Sequence, residues 1–484
     1  MKKSSEKATR AWILALMAVA GFMVALDALV VSTALSTIRL HLGATIEELE
    51  WTVNAYTLSF AVLLLTGTAL GDRFGRRRLF VIGLGLFVVA SAACGLATNI
   101  GALITARAIQ GCGAALVMPL AVTQVSVAFP PEQRARALAT FSGVAGLAVL
   151  AGPVVGGALT GGLAWQWIFW LNVPIGLLVI PLVLSRVSES FGPRAKLDIG
   201  GLLLATGATL GLVWGLVRGN QAGWGSFEVI ATLVAGLLLA VTFVIWERRA
   251  LAPMLPMGFF RSRAFSAGNA AGTLFFASLY GATFFMAQFL QTVMGYGPLD
   301  AGTRLLPWTI VLFASAPLSG VLINRLGERT IMVGGMLVQA IAFAWIGLIA
   351  RPGLSYSELI APLILAGFGA IAIPASQNVV VSSVAANQIG KASGTFNMLR
   401  QLGAAFGIAI LTAVFASAGG FHNAQTFSNG FSLAMGVSVS LSLIGAIAGI
   451  ALPGRSRLAV EQAKTKPAIS EAEAYGVPEQ SLIV

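Results

Sequence analysis

The 484-residue chain is 57% hydrophobic and 10% charged, with a mean hydropathy of +0.87. That excludes a water-soluble globule, in which about a quarter of residues are charged. A net charge of +12 would suit nucleic acid, but the basic residues recur at the ends of apolar stretches and form no stripe or recognition module. They are read as membrane-orienting charge, and no nucleic-acid partner is expected. Cys94 and Cys112 fall inside apolar stretches, with His41 and His422 elsewhere, so neither a disulfide framework nor a metal site is expected.

Residues 1–10 are basic, and the apolar run behind them is too long for a signal peptide and lacks a small-residue cleavage site, so it reads as a retained first span. Fourteen stretches approach the ~20 apolar residues needed to cross about 30 Å of hydrocarbon. They are 11–36, 51–70, 79–97, 101–124, 137–160, 166–185, 198–218, 226–246, 264–293, 302–323, 331–350, 358–382, 391–417 and 431–452. With the N-terminus inside, most of the 30 basic residues fall in connections on the same side, among them Arg73, Arg76, Arg194, Lys196, Arg248, Arg325 and Lys391. Both termini are then cytoplasmic and the chain is multi-pass in the cytoplasmic membrane. The polar tail 453–484 lacks apolar periodicity and is expected to be disordered.

Two features repeat. Gly71-Asp72-Arg73-Phe74-Gly75-Arg76-Arg77-Arg78, between spans two and three, is echoed by Asn324-Arg325-Leu326-Gly327-Glu328-Arg329 after span ten. Gly111-Cys112-Gly113-Ala114 ahead of Pro119 is echoed by Gly367-Phe368-Gly369-Ala370 ahead of Pro374. Six spans therefore match six, with spans seven and eight unmatched between them. The expected organisation is an all-α polytopic membrane protein: a cytoplasmic start (1–10), a six-helix bundle (11–185), two linker helices with flanking loops (186–263), a second six-helix bundle (264–452) and the tail. Parallel six-span halves are the trace of a transporter that rocks around a central site.

At these residues the chain resembles the major facilitator superfamily, specifically its fourteen-span drug:proton antiporter branch. The loop Asp72–Arg77 looks like the family's loop 2–3 signature, with Thr68 where a glycine is usual. Leu26-Asp27 with Ala34-Leu35 and Ile38 resembles the first-span motif, and Arg107-Ala108-Ile109-Gln110-Gly111 the fourth-span motif. Gly152-Pro153-Val154-Val155-Gly156-Gly157 looks like the fifth-span antiporter motif, with Ala148 where another glycine is common. Trp165–Phe169 followed by Asn172-Val173-Pro174 matches the start of span six. The resemblance covers residues 10–452. It implies a major facilitator fold and export of lipophilic compounds driven by proton entry, with no cofactor beyond the proton gradient.

Asp27 is placed as the one carboxylate clear of both ends of a span, with Asp72, Asp198, Asp300 and Glu358 at boundaries. An ionised carboxylate at that depth is expensive, so Asp27 is the expected coupling group, binding and releasing a proton as its exposure alternates. Asp27 and Arg107 lie at depths of roughly 14 and 9 Å, within reach of a long arginine. Arg107 does not titrate and would tune the acid, or alternatively be tied to backbone carbonyls. Asp72, Arg73, Gly75 and Arg76 are the expected gate latch, with Asp72 pairing with arginine or with a helix N-terminus. Gly152, Pro153, Gly156 and Gly157 are expected to allow close, bent packing in span five. Gln110, Gln288, Gln291, Phe285, Asn397 and Arg400 are candidates for the substrate cavity.

Enzymatic chemistry is not expected: Gly390-Lys391-Ala392 lacks the Ser/Thr and the second glycine of a phosphate loop. The expected partners are neutral or monocationic lipophilic small molecules, protons and the bilayer, with the chain acting as a monomer. Two other functions remain open: a dedicated exporter of one endogenous metabolite, lipid or antibiotic, and a receptor or scaffold on a transporter fold.

Overall fold

In hydrocarbon every backbone N–H and C=O must find its partner within the protein, and continuous apolar runs of about 20 residues, without the alternation of short barrel strands, meet that demand as helices. The computed structural model describes residues 2–192, 198–251, 253–385 and 388–452. The expected disordered tail, and Arg194 and Lys196, lie outside these. Among the described residues thirteen helices are long and apolar enough to cross a membrane, and a bent pair supplies a fourteenth, in the order of the fourteen expected spans. They are α1 (Lys2–Leu42), α2 (Ile46–Phe74), α3 (Arg76–Gly95), α4 (Ile100–Ala128), α5 (Pro131–Gly162), α6 (Trp167–Arg186), α7 (Ile199–Ala222) and α8 (Phe227–Arg249). The remainder are α9 (Arg263–Thr292), α10 (the pair Pro298–Ser315 and Pro317–Leu326, bent by 49°), α11 (Glu328–Ile349), α12 (Tyr356–Ser382), α13 (Ile389–Ala418) and α14 (Ala424–Ile450).

The end of the bundle that carries Arg73, Arg76 and Arg325 is here termed the arginine end, and the opposite one the far end. Five of the seven helices that start at the far end begin with side-chain caps, α6 and α10 being the two that do not. Thr45 and Glu48 form a capping box on α2, Ser355 and Glu358 another on α12, while Asn99, Ser226 and Asn423 cap α4, α8 and α14. Such caps satisfy otherwise orphaned N–H groups and extend a helix through polar residues. α2 therefore starts at Ile46 and α14 at Ala424, ahead of the apolar stretches at 51 and 431. One consequence corrects the expectation that Asp27 stands alone: Glu50 is inside α2 and fully buried.

Within α1–α6 the closest pairs are α1 with α5 and α4 with α2 and α3; within α9–α14 they are α9 with α13 and α14, and α11 with α14. α7 and α8 pack on each other, and α7 also reaches α2 and α13. Val234, Leu237, Leu238, Val241 and Ile245 of α8 stay exposed, as suits a helix facing lipid.

The two sets of six meet at the far end. A side chain at Gly157 on α5 would run into the Pro298 carbonyl of α10, and one at Gly302 into the Pro153 carbonyl, so the backbones touch there. Gln291 of α9 donates to the Thr33 carbonyl of α1 at 3.0 Å, and Arg39 lies 4.1 Å from the centre of the Phe421 ring. An apolar cluster of Leu58, Val213, Val217, Ala405 and Ala409 joins α2, α7 and α13, and that seam continues to Leu65 beside Gly394. Between α5 and α10 contact fades toward the arginine end, where Gly143 and Gly320 meet nothing within 4 Å. The far side is closed.

Candidate functional site

Five helices bring polar groups to one point inside the first half. Asp27 of α1 is 1% exposed. Its carboxylate accepts from Arg107 Nη1 on α4 at 2.5 Å, from Gln110 Nε2 at 2.8 Å and from Asn172 Nδ2 on α6 at 2.8 Å. Arg107, also 1% exposed, donates through Nη1 to Gln110 Oε1 at 2.7 Å and through Nε to the Thr52 carbonyl of α2 at 3.2 Å. Its guanidinium lies 4.2 Å from the centre of the Tyr56 ring and 5.7 Å from that of Phe169. Asn172 also donates to Ser91 Oγ on α3 at 3.0 Å, and Ser91 donates to the Phe169 carbonyl at 2.9 Å.

Both readings of Arg107 made from the sequence are thus present together, the acid pair and the backbone tie. The pair is desolvated yet well hydrogen-bonded, the condition under which a buried ion pair is tolerated, and taking away one partner would strand the other. Gln110 belongs to this network. Asn172, Ser91 and Tyr56 were missed as site residues, although Asn172 stands in the motif at the start of span six. It opens the Asn172–Arg186 segment of α6, directly after Leu171.

At the arginine end, Gly75 adopts φ 108°, a backbone conformation that favours glycine, and turns α2 into α3. Asp72 pairs with Arg76 at 2.8 Å, and its carbonyl accepts from Gly192 N at 3.0 Å. The N-terminus of α3 is occupied by a different acid. Glu189 accepts from the N–H groups of Arg77 at 2.8 Å and Arg78 at 3.2 Å, placing negative charge at the positive end of the helix dipole. Arg73 packs over Phe74 at 5.3 Å. In the second copy, Glu328 accepts from Asn378 on α12 at 2.9 Å.

In α5, a side chain at Gly152 would meet Leu29, and one at Gly156 the Val30 carbonyl and Thr33 of α1. These glycines and Pro153 therefore lie between α1 and α10. The candidate cavity residues of the second half do not converge. Phe285 is fully buried and stacks on Phe415 at 4.6 Å, so it is a core residue and not a wall of a cavity. Gln288 is buried and donates to the Phe284 carbonyl, with its own Oε1 unpartnered. Asn397 donates to the Ser393 carbonyl at 2.9 Å, and Arg400 lies 5.3 Å from the Phe276 ring. A separate pocket of about 360 Å³ opens at the far end among Arg39, Glu47, Asn220, Thr412 and His422. None of the six candidate cavity residues lines it.

The fold is similar to that of the peptide transporter POT, solved in complex with sulfate, with a TM-score of 0.67 at 16% identity over 91% of this chain and 96% of that one. The tetracenomycin C resistance and export protein of Streptomyces glaucescens is 36% identical over 83% of this chain and 75% of its own length. The multidrug resistance protein Stp of Mycobacterium tuberculosis is 35% identical over 82% and 74%. The cephamycin export protein CmcT of Amycolatopsis lactamdurans is 34% identical over 94% and 95%. The model of the Major Facilitator Superfamily matches residues 17–408. With fourteen membrane helices in two six-helix sets around an inserted pair, the chain belongs to the major facilitator superfamily.

Proposed function

We propose that this protein exports lipophilic drugs or antibiotics across the cytoplasmic membrane in exchange for protons, by alternating access. Its relatives are named for tetracenomycin C resistance and export, for multidrug resistance and for cephamycin export. The single observation that carries proton coupling is a carboxylate buried at the meeting point of five helices, hydrogen-bonded to an arginine that cannot discharge.

In this reading both termini are cytoplasmic, the arginine end faces the cytoplasm and the far end faces outward. A proton arriving on Asp27 removes its charge and weakens its hold on Arg107. Arg107 then relies on Gln110, the Thr52 carbonyl and the Tyr56 ring, and the balance among α1, α2 and α4 shifts. Substrate and proton bias the same equilibrium in opposite directions. Each half of the pathway lies within one chain, so the working unit is a monomer, organised as the two bundles 11–185 and 264–452 around a linker pair. Arg107 already matches the charge of Asp27, which favours neutral or singly cationic substrates over dications.

Efflux from a pump-deficient host across a compound panel, with and without a protonophore, tests the reading. Asp27→Asn should abolish protonophore-sensitive efflux while the protein still reaches the membrane. Undiminished efflux by that variant in inverted vesicles refutes proton coupling at Asp27. A dedicated exporter of one antibiotic is the second reading, favoured by the single compounds in the names of the tetracenomycin and cephamycin relatives; a panel with one responsive compound would select it.

A further inference from the structure

A second buried carboxylate stands on the seam between the two halves. Glu50 is 0% exposed and lies on α2, which packs against α13. Its Oε1 accepts from Asn54 Nδ2 at 3.1 Å. Its Oε2 is buried without a well-formed hydrogen bond, as is Asn54 Oδ1, and the Thr412 hydroxyl of α13 beside it has no other partner. Thr412 also lines the far-end pocket, as does Glu47, one turn ahead of Glu50.

The charged groups around Glu50 are otherwise committed. On α7, Arg218 serves Glu47 at 3.5 Å and Glu228 of α8 at 3.2 Å. Arg107 of α4 holds Asp27. Arg39 of α1 packs on Phe421, and His422, in the connection before α14, lines the pocket with it. An ionised carboxylate with an unpartnered oxygen is strongly disfavoured in such a place. A carboxylic acid is a different case. A proton on Oε2 supplies a donor where the Asn54 Oδ1 acceptor lacks one, and the Thr412 hydroxyl can accept from it as well as donate to it.

We infer that Glu50 is a proton-sensing gate: the far seam closes when Glu50 takes a proton from the water on that side, and reopens when the proton returns there. This rests on the alternating-access reading above. When α2 and α13 separate, Glu50 meets water and ionises; when they close, it must be neutral. Because its proton enters and leaves by the same side, Glu50 sets the balance of states without adding to the number of protons carried, which is the task of Asp27.

The test is the distance across the far end between spin labels at His41→Cys and Ser417→Cys, with Cys94 and Cys112 replaced by alanine, in lipid nanodiscs. The open population should rise in alkaline buffer and fall in acid. Glu50→Gln should stay closed in both, with its open fraction in alkaline buffer reduced about fivefold or more. Glu50→Asp should restore the pH response, and His422→Gln should keep it. A wild-type response persisting in Glu50→Gln, or one lost in His422→Gln, overturns the inference. Efflux insensitive to protonophore would sink the proposed antiport and leave these distances unchanged, so the two failures are distinguishable.

Discussion

A guanidinium does not discharge inside a protein, so any change of charge in the Asp27–Arg107 pair falls to the carboxylate. That makes Arg107→Ala informative beyond loss of function. The variant strands a buried carboxylate, and breaking a buried pair in this way costs about 3–5 kcal/mol. Protonating Asp27 removes the penalty, so the loss of thermal stability should be largest in alkaline buffer and shrink as the pH falls. Adding Asp27→Asn should recover most of it at every pH. Melts in detergent over a pH series check this. A loss of equal size at all pH values would mean that Arg107 stabilises through Thr52 and Tyr56 instead. The pair itself was legible in the sequence, because two charged residues at matching depths in apolar runs have few other ways to be satisfied. Asn172 and Ser91 were not legible as its partners, since uncharged polar residues in a membrane helix announce no particular neighbour.

At the scale of the helix, α5 shows what glycine spacing can specify. Gly152 and Gly156 bring its backbone onto α1, while Gly157 brings it onto the start of α10. The three positions thus join a contact within one half to a contact between halves. Gly157→Leu should prevent far-side closure, lowering efflux by about tenfold or more with expression maintained, since a side chain there meets backbone that cannot yield. Labelling of Thr33→Cys, a fully buried position on α1 beside Gly156, from the far side should rise in parallel; unchanged labelling would show that the α5–α10 contact does not hold that side shut. Helix boundaries explain the main omission. Hydropathy locates the apolar part of a span, whereas the Thr45–Glu48 capping box starts α2 five residues earlier and carries Glu50 into it. A Thr-x-x-Glu pattern ahead of an apolar run is readable in sequence. Its consequence, an acid buried against α13, depends on which face of α2 meets the other half.

Across the whole molecule the two halves are alike in path and unlike in chemistry. The first half holds the acid–arginine network and an intact loop between α2 and α3; the second has Asn324 and Glu328 where the first has Asp72 and Arg76. With the far side closed, the Asp72 and Glu189 carboxylates bind Arg76 and the start of α3, all within the first half and its outgoing segment. A latch that acts across the halves would therefore form when the arginine end closes. Asp72→Asn should weaken that closed state and Asn324→Asp should strengthen it by supplying the missing acid. The measurement is maleimide labelling of Ser142→Cys, an exposed position on the arginine-end half of α5. Labelling should increase about two- to fivefold in the first variant and decrease in the second, the range set by one charge-assisted hydrogen bond biasing a two-state equilibrium. If neither variant alters labelling, the loop acts in membrane insertion and local folding alone, and the difference between the halves lies in the Asp27 network rather than in their gates.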